Sequence, residues 1–138
     1  MDWRQTGAAQ FYYRILDEHI APYAERLTPN HASIAGLILA VLVPWGFSVA
    51  AILGLLLMGL SAASDGLDGH LARQRGMQSR FGAFLDSTLD RCADFFYLAG
   101  FWVFAQSVGL ESFWFTAGLL LALLASFLIS YSKARVEA

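Results

Sequence analysis

The stretch Asp65-Gly66-Leu67-Asp68-Gly69-His70-Leu71-Ala72-Arg73, followed eight residues later by Gly82-Ala83-Phe84-Leu85-Asp86-Ser87-Thr88-Leu89-Asp90, decides how this chain folds. It sets four aspartates in and beside apolar runs of membrane length. An ionised Asp near the hydrocarbon costs about 2.5–3.5 kcal/mol even on lenient insertion scales. Such a cluster therefore needs a compensating charge, most simply a bound metal.

Composition fixes the solvent. The chain has 138 residues, of which 57% are hydrophobic and 14% charged, and its mean hydropathy is +0.52. A soluble domain carries about 25% charged residues, so this is a membrane protein. Its length allows one compact bundle and no second domain. Cys92 is the single cysteine, so no intrachain disulfide is possible.

Four apolar runs approach the roughly 20 residues of a spanning helix: 32–47, 49–67, 81–104 and 113–131. The Pro44-Trp45-Gly46 breaker predicts a tight turn between the first two. Arg4, Arg14 and Arg26 precede the first run, Arg73, Arg75 and Arg80 join the second to the third, Arg91 lies early in the third, and Lys133 and Arg135 follow the fourth. The opposite connections, 44–48 and 105–112, hold no Lys or Arg. The positive-inside rule then puts both termini and the aspartates on the cytoplasmic side of a membrane. Trp102 and Trp114 mark the far boundary.

Residues 1–30 do not read as a signal peptide, because charge runs through them and no short apolar core is present. Phe11, Ile15 and Ile20, with Tyr12, Leu16 and Tyr23, form an apolar stripe opposite Arg14, Asp17, Glu18 and Glu25. This predicts an interfacial amphipathic helix, with a soluble helix capping the bundle as the alternative. Thr28-Pro29-Asn30 ends it, and Asn30 or Ser33 is placed to cap the first span. The expected architecture is all-α: an interfacial helix and lead-in over 1–30, then a single four-span bundle over 31–138.

Asp65 and Asp68 are three residues apart, and Asp86 and Asp90 four apart, so each pair shares a helix face. If spans two and three are antiparallel neighbours, both pairs meet at one level and make a hard, all-oxygen site suited to Mg²⁺ or Mn²⁺. Gly66, Gly69 and Gly82 leave bare backbone beside the carboxylates, which a phosphate can approach closely. Arg73 is placed to pair with a phosphate or with an aspartate. A metal–carboxylate site at a membrane surface suits substitution at a lipid-linked phosphate, with paired metals bridging the attacking and leaving oxygens. The base is best supplied by Asp90, at the edge of the cluster.

The pattern Asp65-x-x-Asp68-Gly69-x-x-Ala72-Arg73, eight residues, Gly82-x-x-x-Asp86-x-x-x-Asp90 resembles the complete signature of the CDP-alcohol phosphotransferase family. Fixed positions at about 5% usage each make a chance match on the order of 10⁻¹⁰ per frame. The resemblance implies an integral membrane enzyme that displaces CMP from a CDP-linked lipid with an acceptor hydroxyl, using divalent metal, in phospholipid biosynthesis. It implies that Asp65, Asp68 and Asp86 are metal ligands for two ions, with Asp90 the general base and possible further ligand. Asp65, Gly66, Asp68, Gly69, Ala72, Arg73 and Gly82 would line the CDP site.

Within the family, the run from Phe81 to Arg91 and the run from Ser130 to Glu137 look most like the branch with inositol phosphate acceptors. That branch holds bacterial phosphatidylinositol phosphate synthases and archaeal ether-lipid counterparts, so a prokaryotic cell membrane is expected. Lys133 and Arg135 could hold an acceptor phosphate, or serve as ordinary positive-inside anchors. Family members have six spans, and this sequence supplies four; flanks left by the last two would favour a homodimer.

Other residues read more plainly. His70 occupies a variable motif position as a polar or interfacial group rather than a ligand, and His31 as an interfacial anchor or a neighbour of the nucleotide. Asp94 extends the Asp86 and Asp90 stripe by another turn and is expected to hydrogen-bond near Arg91 or to a buried water. No nucleic-acid footprint is present. Other readings are a family member using glycerol 3-phosphate or another alcohol, a non-catalytic subunit that keeps the CDP and metal site, and a cation transporter. The glycine and arginine spacing and the lack of acids deeper than Asp94 argue against the transporter.

Overall fold

The computed structural model describes residues 29–74 and 80–136. Among them lie four α-helices and no strand: α1 (Pro29–Val49), α2 (Ala51–Gln74), α3 (Arg80–Ser107) and α4 (Phe113–Val136). Each contains one of the apolar runs. The amphipathic segment expected before Pro29 lies outside the described residues.

Helix α1 departs from two expectations. Pro29 opens the helix, where its missing N–H costs nothing, so Asn30 and Ser33 are helix residues and not caps. Pro44 does not end the helix but lies inside it. Tertiary packing outweighs the local break, since Val43 and Phe47 on either side of it are 0% and 4% exposed. Proline is tolerated in apolar helices when neighbouring helices hold the turn in place. The chain reverses instead at Ala50, whose N–H bonds the Gly46 carbonyl at 2.9 Å while its carbonyl accepts from Gly54 at 3.1 Å. A Cβ on Gly46 would stand 2.7 Å from Leu57 Cδ1 and 3.0 Å from Gly54 Cα, so the bare backbone is what lets the two helices fold back together.

Helix α1 is the hub, packed against both α2 and α3, while α2 and α3 make little direct contact. Spans two and three nevertheless meet through side chains, Tyr97 OH of α3 lying 2.7 Å from Ser61 Oγ of α2. They run antiparallel, and α1 packs against both. The core is Ala40, Val43, Phe47 and Ala105, and the Phe47 ring lies 5.6 and 5.7 Å from those of Phe101 and Phe104.

At the far end, Gly109 takes φ +70° and closes α3 with bonds from Leu110 N–H to Ala105 O (2.8 Å) and Gly109 N–H to Gln106 O (3.3 Å). This is a Schellman closure, with glycine at the left-handed position. Ser112 then caps α4 by accepting from Phe115 N–H at 3.1 Å. Helix α4 lies antiparallel along α3, with none of its residues buried.

Among the described residues, His31–Val49 and Phe113–Val136 are long and apolar enough to cross a membrane, and Ala51–Gly66 is a shorter apolar helix. Helix α3 does not pass that test although it has 28 residues. Asp86, Asp90, Arg91 and Asp94 make its first half polar, and this is the half that carries the site.

Candidate active site

The local sequence dictates where the carboxylates go. Asp86 and Asp90, four apart on α3, project from one face, and Asp65 reaches the same place from α2. Gly36 sets the approach of α1 to α2 at this level. A Cβ there would lie 3.3 Å from Ser61 O, 3.3 Å from Ser64 Cβ and 3.8 Å from Asp65 N. With no side chain at Gly36, α1 lies close against α2 beside Asp65.

The result is that Asp65, Asp86 and Asp90 offer carboxylate oxygens all within 4.8 Å of one another. Asp65 and Asp86 are exposed and Asp90 is partly buried. A cavity of about 230 Å³ adjoins them, lined by Ser33, Ser61, Asp65, Asp90, Asp94 and Tyr97 among others. Its floor is a hydrogen-bond chain across three helices. Tyr97 OH donates to Ser61 Oγ at 2.7 Å, and Ser61 Oγ donates to the Gly36 carbonyl at 2.7 Å.

Among the described residues, Arg91 is a cation beside this group. Its Nη2 lies 3.8 Å from Asp90 Oδ2, but its Nη1 lies 3.0 Å from Asp94 Oδ2. Among the described residues, this guanidinium pairs with Asp94 and approaches Asp90. The all-oxygen donor set of Asp65, Asp86 and Asp90 fits a hard divalent cation such as Mg²⁺ or Mn²⁺.

The remaining residues singled out by the sequence fall into three groups. Of Asp68, Gly69, His70, Ala72 and Arg73 the structure describes only the helical backbone, α2 continuing through them to Gln74. Gly66 is half-buried beside Asp65, and Gly82 is half-buried in the first turn of α3. Lys133 and Arg135 occupy the last turn of α4, both exposed. They lie beyond Ser130, whose hydroxyl meets that of Ser87 at 2.9 Å, so this end of α4 is level with the carboxylates. Among the described residues no ion pair joins Lys133 or Arg135 to the carboxylates. His31 is exposed in the first turn of α1, at the same end. Asp94 pairs with Arg91 as expected, and accepts from Ser126 Oγ as well.

Ser126, Ser61 and Tyr97 were not singled out by sequence reasoning. A serine or tyrosine in an apolar helix carries no spacing signal of its own. Its polarity within a run such as 113–131 is the one available hint.

A family model described as CDP-alcohol phosphatidyltransferase matches residues 26–138. An archaetidylinositol phosphate synthase of Pyrococcus horikoshii is 37% identical over 112 residues, covering 80% of this chain and 56% of that protein. One from Methanothermobacter thermautotrophicus is 33% identical over 128 residues, 89% of this chain and 61% of that one. A phosphatidylinositol phosphate synthase of Mycolicibacterium smegmatis is 38% identical over 114 residues, 81% and 51% respectively. The chain thus spans roughly half to three fifths of the length of these three relatives.

Proposed function

The chain belongs to the CDP-alcohol phosphatidyltransferase family, and from that premise we propose that it transfers a phosphatidyl-type group from a CDP-linked lipid to an inositol phosphate-type acceptor, with release of CMP. The observation that carries this reading is the convergence of Asp65, Asp86 and Asp90 within 4.8 Å from two helices. Family members are integral membrane proteins that work with a divalent metal, and the names of the relatives support the choice of acceptor.

In this proposal Asp65, Asp68, Asp86 and Asp90 hold two Mg²⁺ or Mn²⁺ ions. When bound, these ions would neutralise phosphate oxygens of the donor and the charge that develops on departing CMP. Asp90 takes the proton of the acceptor hydroxyl. The freed oxygen forms a bond to the lipid-bearing phosphorus as the bond from that phosphorus to the CMP oxygen breaks. Arg73 meets the nucleotide phosphate, and Gly66, Gly69, Ala72 and Gly82 leave room for CDP to lie against bare backbone. Lys133 and Arg135 hold the acceptor's phosphate by charge-assisted hydrogen bonds.

The whole works as one bundle over 31–138, with all four helices spanning and the site facing the cytoplasm of a prokaryotic cell. Homodimers would cover the exposed flanks.

The test is CMP release by the purified chain in lipid–detergent micelles with a CDP-lipid and Mg²⁺, offered inositol 1-phosphate, glycerol 3-phosphate, serine and inositol in parallel. Release with inositol 1-phosphate alone is expected. Preference for glycerol 3-phosphate would move the chain to another branch, and binding of CDP-lipid without release would make it a non-catalytic subunit.

A further inference from the structure

Arg91 stands between two aspartates on α3, and its guanidinium reaches both as well as α4. Adjacent residues on a helix do not face each other, so the approach of Arg91 to Asp90 is not automatic. It results from how the far side of the guanidinium is held. Nη1 donates to the Ser126 carbonyl at 3.0 Å and to Ser126 Oγ, and lies 3.0 Å from Asp94 Oδ2. Ser126 Oγ in turn donates to Asp94 Oδ2. Arginine only donates, carboxylate only accepts, and a hydroxyl does both. Ser126 therefore closes a three-membered ring in which every group plays the one role open to it.

The orientation is imposed and not merely convenient, because Arg91 Nε is buried with no hydrogen-bond partner among the described residues. A buried orphan donor is destabilising, so the acceptors at Nη1 fix the guanidinium at the expense of Nε. What this leaves facing the site is Nη2, 3.8 Å from Asp90 Oδ2. Asp94 neutralises Arg91 locally, so Asp90 is steered without losing the charge a cation needs.

We propose that Arg91, held by Asp94 and Ser126, is a positioning residue that fixes the Asp90 carboxylate among its neighbours, so that Ser126 of α4 bears on the competence of the site without touching substrate. The inference rests on the reading of Asp90 as ligand and base. Changing the outer partner of a metal-binding carboxylate costs about 10–100-fold in affinity or activity, and Ser126 stands one step further out.

Removing Arg91 itself would strand Asp94 and endanger folding, so the test uses Ser126→Ala and Ser126→Thr, which alter no charge. Mn²⁺ affinity of the purified chain is read by electron paramagnetic resonance, beside kcat and KM for CMP release and the thermal unfolding midpoint. Ser126→Ala is expected to weaken Mn²⁺ binding and lower kcat by about three- to tenfold, with KM for CDP-lipid unchanged, and Ser126→Thr to restore both. A lower unfolding midpoint with wild-type Mn²⁺ affinity and kcat would reduce the ring to a clasp between α3 and α4 and overturn the inference. If the wild type binds Mn²⁺ but releases no CMP, the transfer reading fails while the Mn²⁺ comparison still decides this one. A wild type that binds no Mn²⁺ overturns the positioning role, and CMP release then judges the transfer reading separately.

Discussion

The Tyr97 hydroxyl lies 2.7 Å from Ser61 Oγ, and through that bond α3 is tied to α2 directly beneath the carboxylates. Ser61 is 2% exposed and passes its own hydrogen to the Gly36 carbonyl on α1, so the three helices are registered at one level. Ser61→Ala strands the Tyr97 hydroxyl in the cavity and is expected to cost about 1–3 kcal/mol, whereas Tyr97→Phe leaves Ser61 still donating to Gly36 and costs about 0.5–1.5 kcal/mol. Unfolding midpoints in detergent should rank Tyr97→Phe above Ser61→Ala; the opposite order would show that the chain is not the registering element.

Gly36 is the closest approach of α1 to the carboxylate level of α2, with Ser61 O and Ser64 Cβ each 3.3 Å from where a Cβ would sit. Gly36→Ala asks those neighbours for a few tenths of an ångström and should be tolerated. Gly36→Leu overpacks the crossing at a cost of about 1–3 kcal/mol. It also pushes Asp65 away from Asp86 and Asp90, and a misplacement near 1 Å costs roughly 100-fold in rate. Equal CMP release by the two variants would contradict this placement.

The carboxylates were legible in the sequence because their spacing obeys helix geometry. Asp86 and Asp90 share a face by the four-residue rule, and the apolar run around them leaves no competing element. All four described helices were legible for the same reason. Pro44 was misread because local chemistry favours a break there, and the burial of Val43 and Phe47 that overrides it is a tertiary fact. The packing of α1 against both α2 and α3 was equally invisible, since it depends on which face of α1 is small at Gly36. The link from Arg91 to α4 was not legible, because Ser126 lies 35 residues away in the chain.

Asp65→Asn and Asp86→Asn test the carboxylates as ligands. Loss of an outer partner alone costs about 10–100-fold, so each of these changes should cost at least that, and the Mg²⁺ concentration for half-maximal CMP release should rise. Activity that survives in either variant with an unchanged Mg²⁺ requirement would remove that residue from the ligand set.

Lys133 and Arg135 separate two uses of a basic helix end. A charge-assisted hydrogen bond is worth about 1.5–3 kcal/mol, so Lys133→Ala or Arg135→Ala should raise KM for inositol 1-phosphate by about tenfold or more. KM for CDP-lipid should stay as in the wild type. If both constants hold and only yield or insertion suffers, the residues are anchors for the end of α4.

The central claim is that the converging aspartates transfer a lipid phosphate with Asp90 as base. The direct measurement follows CMP and lipid product together, using wild type and Asp90→Asn with CDP-lipid, Mg²⁺ and inositol 1-phosphate. The account predicts CMP and phosphorylated lipid in equal amounts from the wild type, lost on Mg²⁺ removal and lost in Asp90→Asn while CDP-lipid still binds. CMP without the lipid product, or equal turnover by Asp90→Asn, would contradict it.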